Sequence, residues 1–294
     1  MKKKPILIGI FLISALAGIF FLLSLFLAST LGLNGKIAKS DKIAIINIES
    51  IITQSKNTVR QIKKYADDKS IKAIVLRIDS PGGGVAPSQE IYSEILNVRK
   101  NANKIVVTSM GNLAASGGYY IACASDKIVA NPGTLTGSIG VIMTFSNIEE
   151  LMKKIGLKTE IIKSGEFKDI GSPMREFTEK EKKLLQGVID DVYDQFVTAV
   201  AVGRSIGVQK VKELSDGRIF TGRQAFEIGL VDKLGSLEEA IKLAAELVGI
   251  KGKPKIVSEK KERSLLFKLL ENKVLSYMPN QLHIIPGLQY LWQY

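Results

Sequence analysis

The chain has 294 residues, with 41 Lys and Arg against 29 Asp and Glu, a net charge of +12, and 46% apolar residues. That length suggests one large domain or two small ones, and the single cysteine, Cys123, excludes an intrachain disulfide while leaving the redox compartment open. The positive charge is interleaved with Glu and Asp rather than gathered in a basic stripe with aromatics, which speaks against a nucleic-acid partner and for a solvated surface near an anionic membrane.

Lys2, Lys3 and Lys4 precede an uncharged stretch from Pro5 to Gly35. Its apolar heart, Ile6 to Leu27, is about as long as a bilayer-crossing helix and longer than the apolar region of a secretory signal. Residues 1–33 are therefore read as lysines plus an uncleaved transmembrane anchor. The alternative is a signal cut near Ala28-Ser29, where the small-x-small pattern is poor. No cysteine follows for a lipid anchor. The lysine triplet predicts a cytoplasmic N-terminus and an extracytoplasmic body, with Lys36, Lys39 and Lys42 weakening that vote.

Residues 34–41 read as a polar linker, and 42–258 as the main domain. Lys42–Ile48 is a predicted strand and Gln54–Lys69 an amphipathic helix. Ala73–Ile78 is nearly all apolar, as a strand buried on both faces should be. Ser80–Gly84 is a turn, Pro87–Arg99 a helix with Pro near its first turn, Lys104–Ser109 a strand, and Ala114–Ala124 a helix beginning around Ser116. Cys123 in that helix reads as a small core residue. Lys127–Ala130 is a strand and Gly133–Gly140 a Gly/Thr/Ser loop. Glu149–Ile155 is a helix, Thr159–Lys163 a strand, and Ser164–Thr178 a long connection of the kind that tends to carry function. Glu179–Arg204 is a long helix with Thr178 as N-cap and Glu181 completing a capping box. Helices over Val208–Leu214, Gly222–Ile228 and Leu237–Val248 and a strand over Lys255–Val257 follow. Strand–helix alternation predicts an α/β fold with a mostly parallel sheet. The apolar tail, 259–294, is broken by Pro279 and Pro286. It reads either as a strap packed on the body or a neighbouring subunit, or as a segment that touches the membrane or occupies the chain's own binding cleft.

Ser116 lies in a run of small residues, Met110-Gly111-Asn112-Leu113-Ala114-Ala115-Ser116-Gly117-Gly118, as a nucleophile on a sharp strand-to-helix turn requires. The lone histidine, His283, is far away in the tail. Acyl transfer needs a base for the hydroxyl proton and donors for the oxyanion. Gly82, Gly83 and Gly84 follow one strand and Ser116 the next, so both turns fall at the C-terminal sheet edge, where open α/β sheets bind ligands. The N–H groups of Gly83 and Gly117 are the candidate oxyanion donors. The base must come from Lys, Asp or Glu. Lys168, flanked by Phe167 and Ile170 in the long connection, becomes a base only if burial lowers its pKa, and Asp169 would oppose that role if it held the amine charged.

These motifs resemble the signal peptide peptidase A family, membrane-bound Ser/Lys-dyad peptidases of the ClpP/crotonase fold. The matching pieces are Asp79–Gly83, Met110–Tyr120, Asn131–Gly140, Gly165–Arg175, Arg218–Gly222 and Ala225–Gly229, and the likeness covers roughly Lys42 to Gly249. The resemblance implies a ClpP/crotonase-like spiral of parallel strands and crossover helices, with one copy of the catalytic unit. It implies that Ser116 is the nucleophile, Lys168 the general base, Ser138 the residue that orients the lysine, and Gly83 an oxyanion donor, joined by Gly117 on geometry. No cofactor or metal is implied. The expected partners are apolar peptides, cleaved signal peptides among them, membrane lipid through the anchor, and further copies in a ring, with Lys168 meeting Ser116 of an adjacent protomer. Two other readings stay open: an NfeD-type Ser/Lys peptidase acting on a specific membrane protein, which usually has further spans and a small β-barrel, and a catalytically silent membrane scaffold.

Overall fold

The computed structural model describes residues 4–30, 41–259 and 289–291. The chain divides between Ser40 and Asp41 into two compact units. The first contains helix α1 (Lys4–Thr30), 27 residues and so about 40 Å long. Phe11, Leu16, Phe20 and Leu23 lie exposed along it. Side chains of α1 are described without a break only over residues 11–24. Among the described residues no helix is long and apolar enough to cross a membrane. Lys2, Lys3, the linker 34–40 and His283 lie outside the described residues.

The second unit begins with β1 (Lys42–Glu49), α2 (Lys56–Asp67), β2 (Ile71–Ser80), β3 (Gly82–Gly84), α3 (Val85–Asn101) and β4 (Ile105–Ala115). It continues with α4 (Gly117–Ala122), β5 (Lys127–Ala130), β6 (Leu135–Gly137), α5 (Glu149–Lys154), α6 (Glu179–Arg204) and α7 (Val208–Leu214). Then come β7 (Ile219–Thr221), α8 (Gly222–Glu227), β8 (Lys233–Leu234), α9 (Leu237–Leu247), β9 (Lys255–Ser258) and β10 (Gln289–Leu291).

The main sheet runs β7-β6-β4-β2-β1-β9, with β5 and β8 branching from β4. Its pairings are parallel except for β6 with β7. β2 is buried on both faces, as its apolar run predicts. Ala73 and Val75 pack with Ile43, Val107 and the α9 residues Ala240 and Ala244. Ile74, Leu76 and Ile78 face Ile62, Ile91, Ile95 and Phe196 on the other side. Each buried Val, Leu, Ile or Phe side chain among them stabilises the fold by about 1.5–3 kcal/mol.

β4 forks the sheet. Val107–Ser109 pair with β5, whereas Leu113–Ala115 pair with β6. The bend between them needs Gly111, where a Cβ would stand 2.8 Å from Asp79 Cγ. It is held by the Leu113 N–H donating to Asp79 Oδ1 at 3.1 Å and by the Thr134 and Thr136 hydroxyls donating to Gly111 O and Ala114 O at 2.6 and 2.7 Å.

Several expectations change. β4 continues to Ala115, so α4 starts at Gly117 rather than Ala114. Gly82–Gly84 is a short strand, not only a turn, because Ile52 lies beside it: the Ile52 N–H donates to Gly82 O and the Gly84 N–H to Ile52 O, both at 2.8 Å. The Gly/Thr/Ser loop contains β6. Thr159–Lys163 forms no strand; its residues are exposed and pair with no strand among the described residues. α6 keeps its predicted bounds and capping box. Cys123 is buried, and that burial pushes its thiol up to about 12, as suits an inert core residue.

Candidate active site

The end of β4 delivers Ser116 into a conformation that few L residues adopt, φ 53°, ψ −116°. Such backbone costs roughly 1–3 kcal/mol and persists only where the surroundings enforce it. Here the Ser116 N–H donates to Gly137 O at 2.8 Å and the Ser116 carbonyl accepts from Tyr120 N at 2.8 Å. The side chain is buried at 1% exposure, yet it lines a cavity of about 470 Å³ together with Ser138, Tyr193, Asp216, Gly217 and Leu291. Ser138 is also held at positive φ, 51°, its N–H donating to Arg218 O at 2.8 Å. A larger groove of about 970 Å³ lies between α2 and α3. It contains neither strained serine and neither glycine of the pair below, so the smaller cavity is the candidate for chemistry.

Gly83 and Gly117 meet beside Ser116. A Cβ on Gly117 would lie 3.2 Å from Gly83 N and from Gly82 Cα, and 2.7 Å from Ser88 Oγ. Because Gly82 O and Gly84 N are both engaged by Ile52, strand alternation turns the Gly83 N–H to the opposite edge. That edge is occupied by the chain itself. β10 pairs antiparallel with β3, Tyr290 opposite Gly83 and Leu291 opposite Gly82. Its other side bonds Ile142: the Ile142 N–H donates to Gln289 O at 3.1 Å and the Gln289 N–H to Ile142 O at 3.2 Å. The Tyr290 carbonyl oxygen and the Gly117 nitrogen lie 2.0 and 2.6 Å from the point where a Gly82 Cβ would stand. The Tyr290 ring is fully buried, with centroids 5.1 Å from Tyr120 and 4.7 Å from Phe196, and its hydroxyl donates to Val192 O at 3.2 Å. Burial pushes both the Tyr290 and Tyr120 phenols up, Tyr120 to about 12.

Lys168 stands elsewhere. It is exposed, in the 164–178 connection, and it does not line the Ser116 cavity. The burial expected of it is absent within one chain. Its ammonium has no hydrogen bond or ion pair among the described residues. The neighbouring Asp169 does not hold it either. Arg175 Nε and Nη2 donate to Asp169 at 2.9 Å each and Lys163 Nζ at 2.6 Å. These hydrogen bonds hold the Asp169 carboxyl well below the usual range. The arm carrying Lys168 exposes Leu151, Ile155, Leu157, Ile161 and Ile162, the last fully.

Thus the fold gathers four of the five predicted site residues, Ser116, Ser138, Gly83 and Gly117, and leaves out Lys168. Sequence reasoning missed Ile142 and the exact seat of 289–291. The signal for the latter was the apolar–polar alternation of Leu288-Gln289-Tyr290-Leu291, a strand pattern too short to stand out from the tail.

A mostly parallel α/β sheet with a strained serine beside paired glycine amides defines a serine hydrolase of the Clp protease type, and the Clp protease model matches residues 34–135. The peptidase family S49 model matches residues 98–251, and the chain belongs to that family; it is a serine peptidase. It is 48% identical over 216 residues to the Synechocystis sp. protein slr0021, named as a protease, covering 73% of this chain and 77% of that one. It is 43% identical over 211 residues to an Enterococcus faecium protein named as a signal peptide peptidase, SppA, covering 72% and 60%. It is also 36% identical over 223 residues to protease 4 of Haemophilus influenzae, covering 71% of this chain but 35% of that one.

Gly117→Ala is expected to lower kcat/KM by about 10²–10³-fold while the chain still folds, the effect of displacing one oxyanion donor. The new methyl would press on Gly83 N and Ser88 Oγ. Ser88→Gly in the same chain should recover part of the loss by freeing one of those contacts. Steady-state kinetics on a reporter peptide check it; full activity of Gly117→Ala would remove the Gly83–Gly117 pair from the chemistry.

Proposed function

We propose that this protein is a membrane-anchored endopeptidase that cleaves apolar, membrane-associated peptides, remnant signal peptides among them. α1 is the single-pass anchor, with its N-terminal lysines in the cytoplasm and the peptidase domain outside. The observation that carries the reading is the extended segment 289–291 laid along β3, its Tyr290 opposite Gly83, beside Ser116. A substrate strand would take the same edge, bonded by backbone on both sides and read by alternate side chains.

In this reading Ser116 Oγ attacks the scissile carbonyl as its proton passes to the Lys168 amine. The Gly83 and Gly117 N–H groups receive the oxyanion, and the amine then returns the proton to the leaving nitrogen. Water repeats the sequence on the acyl-enzyme. Ser138, sharing the cavity, orients the amine. Lys168 comes from an adjacent copy in a ring, whose contacts would also cover the exposed aliphatic residues of the arm. Only the neutral amine accepts a proton, so activity rises with pH along its acid limb. The name of the Enterococcus relative supports the substrate class.

Cells whose only copy carries Ser116→Ala are expected to accumulate apolar membrane peptides, seen by mass spectrometry of the membrane fraction. An unchanged peptide population there, with the wild-type protein active on reporter peptides, would sink the membrane-peptide assignment.

A further inference from the structure

We propose that Arg175 is a positioning residue for the reaction: with Lys163 and Glu181 it holds the Asp169 carboxylate in a charge-balanced clamp, withheld from Lys168, and fixes the turn that presents the lysine. This rests on Lys168 being the base.

The clamp is built from both ends of the connection. Arg175 reaches Asp169 through Nε and Nη2 at 2.9 Å. On its other side Nη1 donates to Glu181 Oε2 at 2.9 Å and to the Glu176 carbonyl at 2.9 Å. Glu181 sits in the first turn of α6, its side chain 2% exposed, and its Oε2 also accepts from the Thr178 N–H at 2.8 Å. The capping box that starts α6 therefore anchors the turn around Lys168. Lys163 closes the cluster from the N-terminal side, donating to Asp169 Oδ1 at 2.6 Å and to Glu166 O at 2.9 Å. Arg175 holds the Glu181 carboxyl down, to about 2.

Two cations face two carboxylates. Of the other charges nearby, Glu166 pairs with Lys180 of α6, and Glu149 and Glu150 of α5 pair with Lys153. Removing one cation leaves an uncompensated negative charge one residue from Lys168, which favours the protonated amine. Removing Asp169 leaves a positive excess, which favours the neutral amine. A purely structural role for the cluster predicts lower rates with no such signs.

The test is kcat/KM against pH for the full-length chain in detergent, on an apolar reporter peptide. Arg175→Gln and Lys163→Met should each move the acid limb up by about 0.5–1 pH unit. Asp169→Asn should move it down, and Arg175→Gln combined with Asp169→Asn should return it to the wild-type position. If Arg175→Gln does not assemble, Lys163→Met, on a side chain one-third exposed, and the near-isosteric Asp169→Asn still decide the matter by their opposite signs. A Lys168-dependent wild type whose variants all keep one limb overturns the clamp alone. An active Lys168→Ala removes the base, and the clamp with it.

Discussion

Ser116→Ala and Lys168→Ala are each expected to lose about 10³-fold or more in kcat/KM, because members of one catalytic unit fail together. Mixed before assembly, the two inactive chains are expected to regain about a quarter of the wild-type sites, the share in which a natural serine meets a natural lysine from the next copy. The reason is geometric. Ser116 and Ser138 line one cavity, and Lys168 is exposed away from it on an arm with bare aliphatic residues. Within one protomer Ser116 and the Gly83–Gly117 pair stand together, and Lys168 does not line their cavity. A mixture that stays inactive, with both variants shown to co-assemble, would place the lysine's partner within its own chain. Retained activity in Lys168→Ala would require another base.

Deleting residues 289–294 is expected to raise kcat/KM on a short apolar peptide about tenfold. β10 fills the edge a substrate strand would use, and a tethered segment competes at an effective concentration on the order of millimolar. The deletion also forfeits roughly 2 kcal/mol of buried aromatic surface at Tyr290, so the same variant should melt earlier. The two effects separate the competing explanations. Faster turnover with lower thermal stability fits an occupied groove, whereas activity that falls in step with stability would make β10 a structural strand. Tyr290→Ser should show the same pair of changes at smaller size, since it keeps the backbone pairing and loses only the ring between Tyr120 and Phe196.

Local pattern carried much of the fold. α6 was legible to the residue because Thr178 and Glu181 form a capping box that needs no distant partner, and β2 because a strand buried on both faces is apolar throughout. Thr159–Lys163 misled for the converse reason: β-branched residues favour a strand, but a strand exists only where an edge is free to pair. β3, β6 and β10 were missed because a three-residue strand has almost no periodicity of its own. Each is held by tertiary neighbours, Ile52 and β10 for β3, β4 and β7 for β6, β3 and Ile142 for β10.

By itself the sequence determined which residues stand ready for chemistry: a serine in a run of small residues, a glycine triplet one strand earlier, a lysine in a long connection, and no histidine except in the tail. Those are properties of residue type and order. Only the tertiary structure decided who meets whom. The fork in β4 sets Ser116 against the Gly83–Gly117 pair, Arg175 takes Asp169 away from Lys168, and the chain's own C-terminal strand lies in the groove. The first and last of these contacts join segments about 30 and more than 200 residues apart, and no local pattern records them, because the free energy that selects them is gained only when the distant partners are packed together.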